Sequence, residues 1–415
     1  MHQNEAIRAA QVVRQKFLRL PGVLGVGHGW KETTGKRTKD YGVIVYVREK
    51  KPLRQVPTRE RIPKHIRGVS TDVVPVGTHR DRATDEREHR HLDYAKIHRE
   101  HLRALGRRPR LSTANDRDLG NVAIIEDDPN RTFILEERKD VDWVGAYRKF
   151  RLTHPDIYHF VTFWSDATFE VDCDCGAFYC GLVNPAKGIN WSACMPQGRR
   201  GWGTRRLQAF MYFIREDDAA LLQEIGHHWM AYTGFKEQRT QPTVSYEICL
   251  GNEPGHWSSY LDDDRSPMDY DESVLGLPGG VSVDWVDNGD GTFTPRRVGQ
   301  GQYVFSNLDL YLMGLLRPEQ VGEFYFIRNP RRQGAVYRGA RETLTVQNII
   351  WANGRRRPTS AASPKRFRNA FVLLTRDASR AESRARHVDD IRERFTRIFR
   401  DGTGGRAEMD TTLAP

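Results

Sequence analysis

The residues best suited to chemistry lie close together in the middle of the chain, where Gln223, Glu224, His227 and His228 fall within six consecutive positions. Imidazole nitrogens are common zinc ligands, and a nearby carboxylate can take a proton from a water that the metal activates. At about 100° per residue, these four side chains share one side of a helix. The apolar side of that helix consists of Leu222, Ile225, Trp229 and Tyr232. The segment therefore predicts a metal-activated water site.

The spacing differs at one position from the zinc-hydrolase pattern His-Glu-x-x-His, in which two histidines bind zinc and the glutamate acts as base. Gln223 stands where the first histidine would be, and its neutral amide oxygen is a weaker zinc ligand than an imidazole. His228 is four residues from Glu224, so that pair would use the base as a ligand. We predict Glu224 as the catalytic base and His227 as a ligand, with Gln223 and His228 as further candidate ligands.

A third ligand is expected downstream, and His256 is the first choice because it precedes a run of acids. Asp262 and Asp264 in that run are candidate ligands, or second partners that orient an imidazole N–H. They also fit a solvated turn before Pro267, and the histidines also fit ordinary helix and loop positions.

Four cysteines form a second candidate metal group, with Cys173, Cys175, Cys180 and Cys194 falling within 22 residues. Alternate residues of a strand share a face, so Cys173 and Cys175 could bind a structural zinc that the other two complete. Buried thiols and disulfides are the alternatives. The Asn-Gly and Asp-Gly pairs of residues 287–291 predict a hairpin turn, and we expect no calcium there.

The helix that carries the candidate site is predicted to begin at Asp217 or Asp218 and to end before Gly234. Further helices are predicted over residues 308–316 and 388–400. At the N-terminus, a helix to about Leu20 and strands at 42–47 and 71–76 indicate a small α/β unit, with Gly25, Gly27 and Gly29 as strand bends or tight turns. We predict an α+β protein with an accessory domain at 1–77, a charged helical linker at 78–118 and a large domain at 119–415.

The chain has 415 residues and a formal net charge of +11, which at first suggests a phosphate-bearing partner. However, 52 of its 65 basic residues are arginines, and most are interleaved with acids, as on solvated helix faces. We therefore expect no specific nucleic-acid binding. No apolar run is long enough to span a membrane. The lack of a secretory signal and the few cysteines favour the cytoplasm over secretion.

From about residue 121 to the end, roughly 290 residues, the chain resembles a bacterial family related to zincin-type metallopeptidases. The order of the matching blocks makes the resemblance more specific than any single motif. These blocks are Gly176-Ala-Phe-Tyr179, Asn184, Gly188-Ile189, Glu224-Ile-Gly-His227, Trp229, His256-Trp-Ser258, Asp287-Asn-Gly-Asp-Gly-Thr-Phe293, Leu308-Asp-Leu-Tyr-Leu-Met-Gly314, Pro318 and Thr403-Gly-Gly-Arg406. The resemblance implies a zincin-like domain with a degenerate motif, Glu224 as base, and His227 and His256 as zinc ligands.

The first 77 residues separately resemble a small domain that precedes some bacterial trypsin-like peptidases. The matching residues are Pro21-Gly-Val-Leu-Gly-Val-Gly27, Ile62-Pro63, Gly68-Val69 and Thr71-Asp-Val73. No Gly-Asp-Ser-Gly nucleophile segment occurs in the chain, so no serine-protease chemistry comes with this resemblance.

Two functions follow as expectations. The first is a zinc-dependent peptidase-like hydrolase that acts on a protein or peptide through Glu224 and its histidines. The second is a zincin-like protein that has lost hydrolysis and binds other proteins. Gln223 is the residue that separates the two.

Overall fold

The computed structural model describes residues 3–18, 20–33, 36–47, 50–75, 94–105, 112–127, 133–171, 176–194, 198–214, 216–249, 255–269, 282–299 and 301–414. These residues form a mixed α and β structure, which agrees with the predicted α+β class. Within them, no helix combines the length and the apolar composition that crossing a bilayer requires.

The N-terminal unit pairs one helix with a four-stranded sheet and has its own core. Its elements are α1 (Gln3–Leu18), β1 (Val23–Thr33), β2 (Lys36–Val47), β3 (His65–Ile66) and β4 (Val69–Pro75), in the sheet order β1-β2-β4-β3. Ala6, Phe17, Val43 and Val45 are buried in this core. Glycines 25, 27 and 29 all pair along β1 with residues of β2, which contradicts the tight-turn alternative, and the register shift between Val23 and Gly25 agrees with the alternative of a strand bend.

The segment predicted as a charged linker contains a packed helix. α2 (Tyr94–Ala104) buries Tyr94, Ala95 and Ile97 on one face and contacts α3 (Trp143–Phe150). His98 Nδ1 lies 2.6 Å from Asp142 Oδ2. The few apolar residues of α2 share one face of the helix, so this helix packs against α3 although its segment is rich in charge.

A central sheet divides the large domain into two hydrophobic layers. Its path is β10 (Ala177–Gly181), β11 (Ala209–Phe213), β9 (Phe160–Ser165), β17 (Arg366–Thr375), β6 (Val122–Glu126) and β5 (Arg117–Leu119), and β18 (Glu408–Asp410) also pairs with β17. β11, β9, β17 and β6 run parallel, and the two ends of the path pair antiparallel. Adjacent residues such as Val372 and Leu373 belong to opposite layers, so the central strands are apolar on both faces.

The two layers contain different helices. α4 (Asp218–Gly226) and α7 (Glu382–Gly402) pack together on one face, whereas α2 and α3 cover the other. A two-stranded ladder, β7 (Ile134–Leu135) and β8 (Asp140–Val141), precedes α3. The predicted helices at 308–316 and 388–400 correspond to α5 (Asn307–Met313) and α7.

A second, five-stranded sheet lies after the candidate site in the sequence. Its order is β12 (Leu261–Asp262), β15 (Glu323–Gln333), β16 (Val336–Thr345), β14 (Thr292–Arg297) and β13 (Val283–Asp287), and α6 (Val346–Asn353) follows β16. The predicted hairpin at 287–291 is confirmed, since Asn288 N donates to Thr292 O at 3.0 Å. Asp287 and Asp290 accept backbone hydrogen bonds inside this turn.

Candidate functional site

α4 brings the candidate residues to the edge of the central sheet. The helix begins as predicted, because the Asp217 carboxylate accepts a hydrogen bond from Ala220 N at 2.9 Å. It ends at Gly226, whereas the sequence predicted a helix up to Gly234. A Cβ at position 226 would collide with Met268 Sδ. The Met268 side chain, from a later segment of the chain, therefore packs tightly against the last residue of the helix.

His227 and His256 are brought face to face just beyond the end of α4. Their ring centroids are 4.9 Å apart and the rings meet edge to face. Gly255 makes this approach possible, since its φ of +93° suits glycine and its backbone oxygen accepts from Ala231 N at 3.2 Å. The structure therefore brings together His227, the ligand predicted on the helix, and His256, the ligand predicted in the downstream loop.

Burial keeps the His227 imidazole in its neutral form. Desolvation and the neighbouring His256 lower the pKa of His227 well below its usual value, while the backbone of Met230 and Gly255 favours the charged ring. A neutral imidazole has a lone pair for a metal, and the backbone groups of Met230 and Gly255 that bond the His227 ring hold it in place. The electrostatics of His227 suit a ligand.

Glu224 and Gln223 lie one turn earlier, and each is only 7% exposed. His227 N donates to Gln223 O at 3.0 Å, so one helical turn joins these positions. Burial raises the pKa of the Tyr232 phenol, and the charge of Glu224 adds to this effect, which indicates that the carboxyl lies near the tyrosine. The Tyr232 hydroxyl donates to His227 O at 2.8 Å and fixes the turn that carries the imidazole.

His228 is separated from this group by its own hydrogen bonds. Its Nδ1 lies 2.7 Å from the Tyr179 hydroxyl and its Nε2 lies 2.9 Å from Gln208 Oε1. The ring is 1% exposed, and burial lowers the pKa of His228 to about 3. With both nitrogens engaged by protein groups, His228 is a neutral core histidine here and not the candidate ligand that the sequence suggested.

The candidate acids Asp262 and Asp264 lie on β12 and the turn after it. Asp262 pairs in register with Tyr325, and burial raises the pKa of Asp262 to about 7. Asp264 is exposed and has a φ of +54°. Their part in a zinc site stays a prediction.

A buried hydrogen-bond network holds the segment that carries His256. Trp257 Nε1 donates to Asp309 Oδ1 at 2.8 Å, and Trp257 N donates to Met268 O at 2.7 Å. Asp309 Oδ2 also accepts from Ser266 Oγ and Ser306 N, so this fully buried carboxylate has several donors. These hydrogen bonds hold the loop in place without a metal ion.

The cysteine group differs from the predicted four-cysteine zinc site. Cys180 and Cys194 form a disulfide with Cα atoms 5.6 Å apart, while Cys173 and Cys175 lie outside the described residues. Zinc binds cysteine as the thiolate, and the sulfurs of a disulfide carry no such charge. For Cys180 and Cys194 the structure therefore agrees with the disulfide alternative. Cys249 carries a free, buried thiol.

Zinc fits part of this group of residues. Across the described ranges, no three His, Cys, Asp or Glu side chains converge as a ready-made metal site. His227 and His256 supply two suitable imidazoles, and Glu224 or Gln223 stands one turn from the first of them. These two imidazoles are a partial donor set for zinc, and the zinc site with its third ligand stays a prediction.

Several residues of the site were not singled out from the sequence as functional. Tyr232 was assigned to the apolar stripe, and Gln208 and Asp309 received no role. The available signals were a tyrosine five residues after a histidine and a buried aspartate in a helix N-terminus.

The chain matches no protein-family profile, no curated protein and no solved structure.

Proposed function

We propose that this chain is a zinc-dependent, peptidase-like hydrolase with a zincin-like large domain. The observation that supports the proposal best is the close pairing of His227 and His256, whose ring centroids are 4.9 Å apart, with Glu224 three residues before His227 in the sequence. Two imidazoles and a buried carboxylate are the groups that metal-assisted hydrolysis needs. The resemblance of residues 121–415 to zincin-type peptidases supports the same reaction class and a protein or peptide substrate.

Each residue has a distinct role in this proposal. His227 and His256 hold the metal, which when bound would polarise the scissile carbonyl and lower the pKa of water. Glu224 takes a proton from the attacking water and returns it to the leaving nitrogen. Tyr232 acts as a positioning residue, because its hydroxyl holds the backbone of His227.

Gln223 favours a second candidate function, in which the domain binds proteins without hydrolysing them. Its side chain is buried at the position where the usual motif has an imidazole, and a neutral amide holds zinc weakly. A zinc site with two imidazoles would then be too weak to stay loaded.

Metal analysis separates these functions. Protein purified without added metal, then dialysed against zinc, should hold about one zinc per chain that His227→Ala and His256→Ala each lose. Gln223→His should bind zinc more tightly than the unaltered chain, since it restores the second helical imidazole. No stoichiometric zinc in the unaltered chain, together with binding by Gln223→His, would establish the non-catalytic alternative.

Turnover tests the role of Glu224. With labelled casein and a mixed peptide library as substrates, Glu224→Gln should reduce the rate by about 10²- to 10⁴-fold and keep the zinc. Glu319→Gln, which changes an exposed carboxylate, is the matched control and should keep full activity. A Glu224→Gln variant that is as active as the control would remove Glu224 from its proposed role.

A further inference from the structure

The loop that follows β10 returns to the end of that strand and is closed there by the disulfide. We call residues 182–193 the disulfide loop, since the bonded Cys180 and Cys194 lie at its two ends. Cys194 N donates to Gly181 O at 2.8 Å beside the crosslink. The Trp191 ring packs over the same glycine so closely that a Cβ there would collide with it. A covalent bond, a hydrogen bond and an aromatic contact therefore hold the two ends of the loop together.

Two asparagine side chains of the disulfide loop bind the backbone of the turn after α4. Asn184 Nδ2 donates to His228 O, and Asn190 Nδ2 donates to Tyr232 O at 2.8 Å. The Trp191 ring also meets the His228 ring edge to face, with centroids 6.1 Å apart. The position of the turn therefore depends on the position of the loop.

Asn190 is connected through this turn to both segments that carry the paired imidazoles. Tyr232, whose backbone oxygen accepts from Asn190, donates its own hydroxyl to His227 O at 2.8 Å. The N–H of Ala231, the preceding residue, donates at 3.2 Å to the backbone oxygen of the residue before His256. Holding Tyr232 therefore supports the backbone beside both imidazoles of the pair.

The two halves of the disulfide loop are anchored differently. In the first half, Lys187 exchanges two backbone hydrogen bonds with Arg357. Residues 188–193 carry Asn190, and the described structure shows no further hydrogen bond between backbone groups there until that of Cys194, beside the disulfide. The position of Asn190 therefore depends on the disulfide more than that of the first half does.

We propose that Asn190 is a positioning residue for the histidine pair and that the Cys180–Cys194 disulfide keeps it in place. The positioning of the turn rests on these contacts, and only its effect on zinc rests on the proposed function. Asparagine suits the role, because its φ of +55° is left-handed, a conformation that its short polar side chain tolerates, and its amide is a donor. Reduction of the disulfide should consequently loosen the turn and weaken metal binding.

A dithiol reductant opens this crosslink by exchange. Its thiolate attacks Sγ of Cys194, which is half-buried, whereas Cys180 is 2% exposed. The S–S bond breaks, and the Cys180 sulfur leaves as a thiolate that takes a proton. The second thiol of the reductant then displaces the Cys194 sulfur, which also takes a proton. The reductant ends as its own disulfide, and the protein gains two electrons and two protons.

Hydrogen exchange, read by mass spectrometry on the full-length, metal-free protein, tests the positioning. Asn190→Asp keeps a residue that tolerates the left-handed backbone but replaces the amide donor with a carboxylate that only accepts. Amides of residues 227–232 should exchange about 10-fold faster in this variant, and those of β17 should not change. Asn329→Asp is the matched control, because Asn329 is exposed and also left-handed, with a φ of +52°. If Asn190→Asp does not fold, Asn190→Gly removes the donor at the same φ.

Reduction with dithiothreitol should produce the same faster exchange in the unaltered protein and should add nothing in Asn190→Asp. Unchanged exchange of residues 227–232 in Asn190→Asp would overturn the role of Asn190. Unchanged exchange on reduction would overturn the role of the disulfide.

Metal binding tests the consequence for the histidine pair. The double variant Cys180→Ser, Cys194→Ser replaces the reduced protein here, because dithiothreitol itself binds zinc. By competition with a chelator, the double variant and Asn190→Asp should each bind zinc about 10-fold more weakly than the unaltered chain. Cobalt, a coloured substitute for zinc, should show shifted visible bands in both.

Unchanged zinc affinity and cobalt bands in these variants would overturn the effect on the pair. Absence of zinc from the unaltered chain would instead contradict the proposed function, and the exchange measurement would still decide the role of Asn190.

Discussion

His227 and His228 are neighbours in the chain but have different environments. His227 meets His256 beyond the end of α4, whereas His228 is enclosed by Tyr179, Gln208 and Phe160. The sequence could not separate them, because both are histidines on the polar side of a predicted helix. Their separation depends on where α4 ends, which is at Gly226, and the Met268 sulfur packs closely against this glycine.

The buried His228 predicts a specific pH dependence. Its pKa is about 3 in the folded protein and about 6.5 when unfolded, so the unfolded state binds the extra proton as the pH falls below 6.5. Its contribution to stability is therefore present above pH 6.5 and is lost towards acid. Between pH 6.5 and pH 5 the loss should reach about 2 kcal/mol.

Urea unfolding of the unaltered protein and of His228→Gln at both pH values measures this loss. The stability advantage of the unaltered protein over the variant should shrink by that amount at the lower pH. Parallel stability curves for the two proteins would contradict the assignment of His228 as a neutral core residue.

β10 is an end strand of the central sheet, and a disulfide ties it to the following loop. Cys180 lies in this strand, and Cys194 N donates to Gly181 O at 2.8 Å next to the bond. Tyr179 of the same strand binds His228, so the crosslink supports one wall of the site. Disulfides persist in oxidising compartments, so the predicted cytoplasmic location stays a prediction that the crosslink does not favour.

Loss of this crosslink should destabilise the large domain. Closing a loop of about 15 residues contributes about 3 kcal/mol, so Cys180→Ser should lower the free energy of unfolding by that order. Dithiothreitol should lower the Tm of the unaltered protein and leave that of Cys180→Ser unchanged. Peptide mapping without reductant should recover the Cys180–Cys194 linkage, and two free thiols there would contradict the structure.

Helix starts and tight turns were predictable because the residues that specify them lie within a few positions of one another. The N-cap at Asp217, the hairpin at 287–291 and the helix near 308–316 follow from capping residues and turn pairs within a few positions. The end of α4 and the docking of α2 were not predictable in this way. Both involve contacts with residues far away in the sequence, Met268 at the end of α4 and the helix α3 beside α2.

At the scale of the whole molecule, the strand order is the least predictable feature. β17 comes from near the C-terminus and lies between β9 and β6. It pairs with two strands that lie more than 200 residues earlier in the sequence, and no short-range pattern encodes that pairing. The sequence did indicate separate N-terminal and large units, and their cores consist of different residues.

This organisation predicts the result of limited proteolysis. Residues 78–93 are rich in charge and contain Arg80, Arg82, Arg87 and Arg90, which are trypsin sites. Brief digestion should yield a fragment beginning near residue 90 that keeps α2, the histidine pair and the disulfide. By intact mass and thermal melting, this fragment should retain a cooperative transition found in the full chain. Immediate degradation of the fragment would show that the first unit is needed for its stability.

Met268 connects three parts of the molecule through one residue. Its sulfur rests on Gly226, its carbonyl holds Trp257, and its neighbour Asp269 carries a buried carboxyl. Met268 therefore contacts the residue before His227 with its sulfur and bonds the residue after His256 with its carbonyl. Oxidation to the sulfoxide would enlarge and polarise this side chain, so we expect it to disturb the packing of both segments that carry the paired imidazoles.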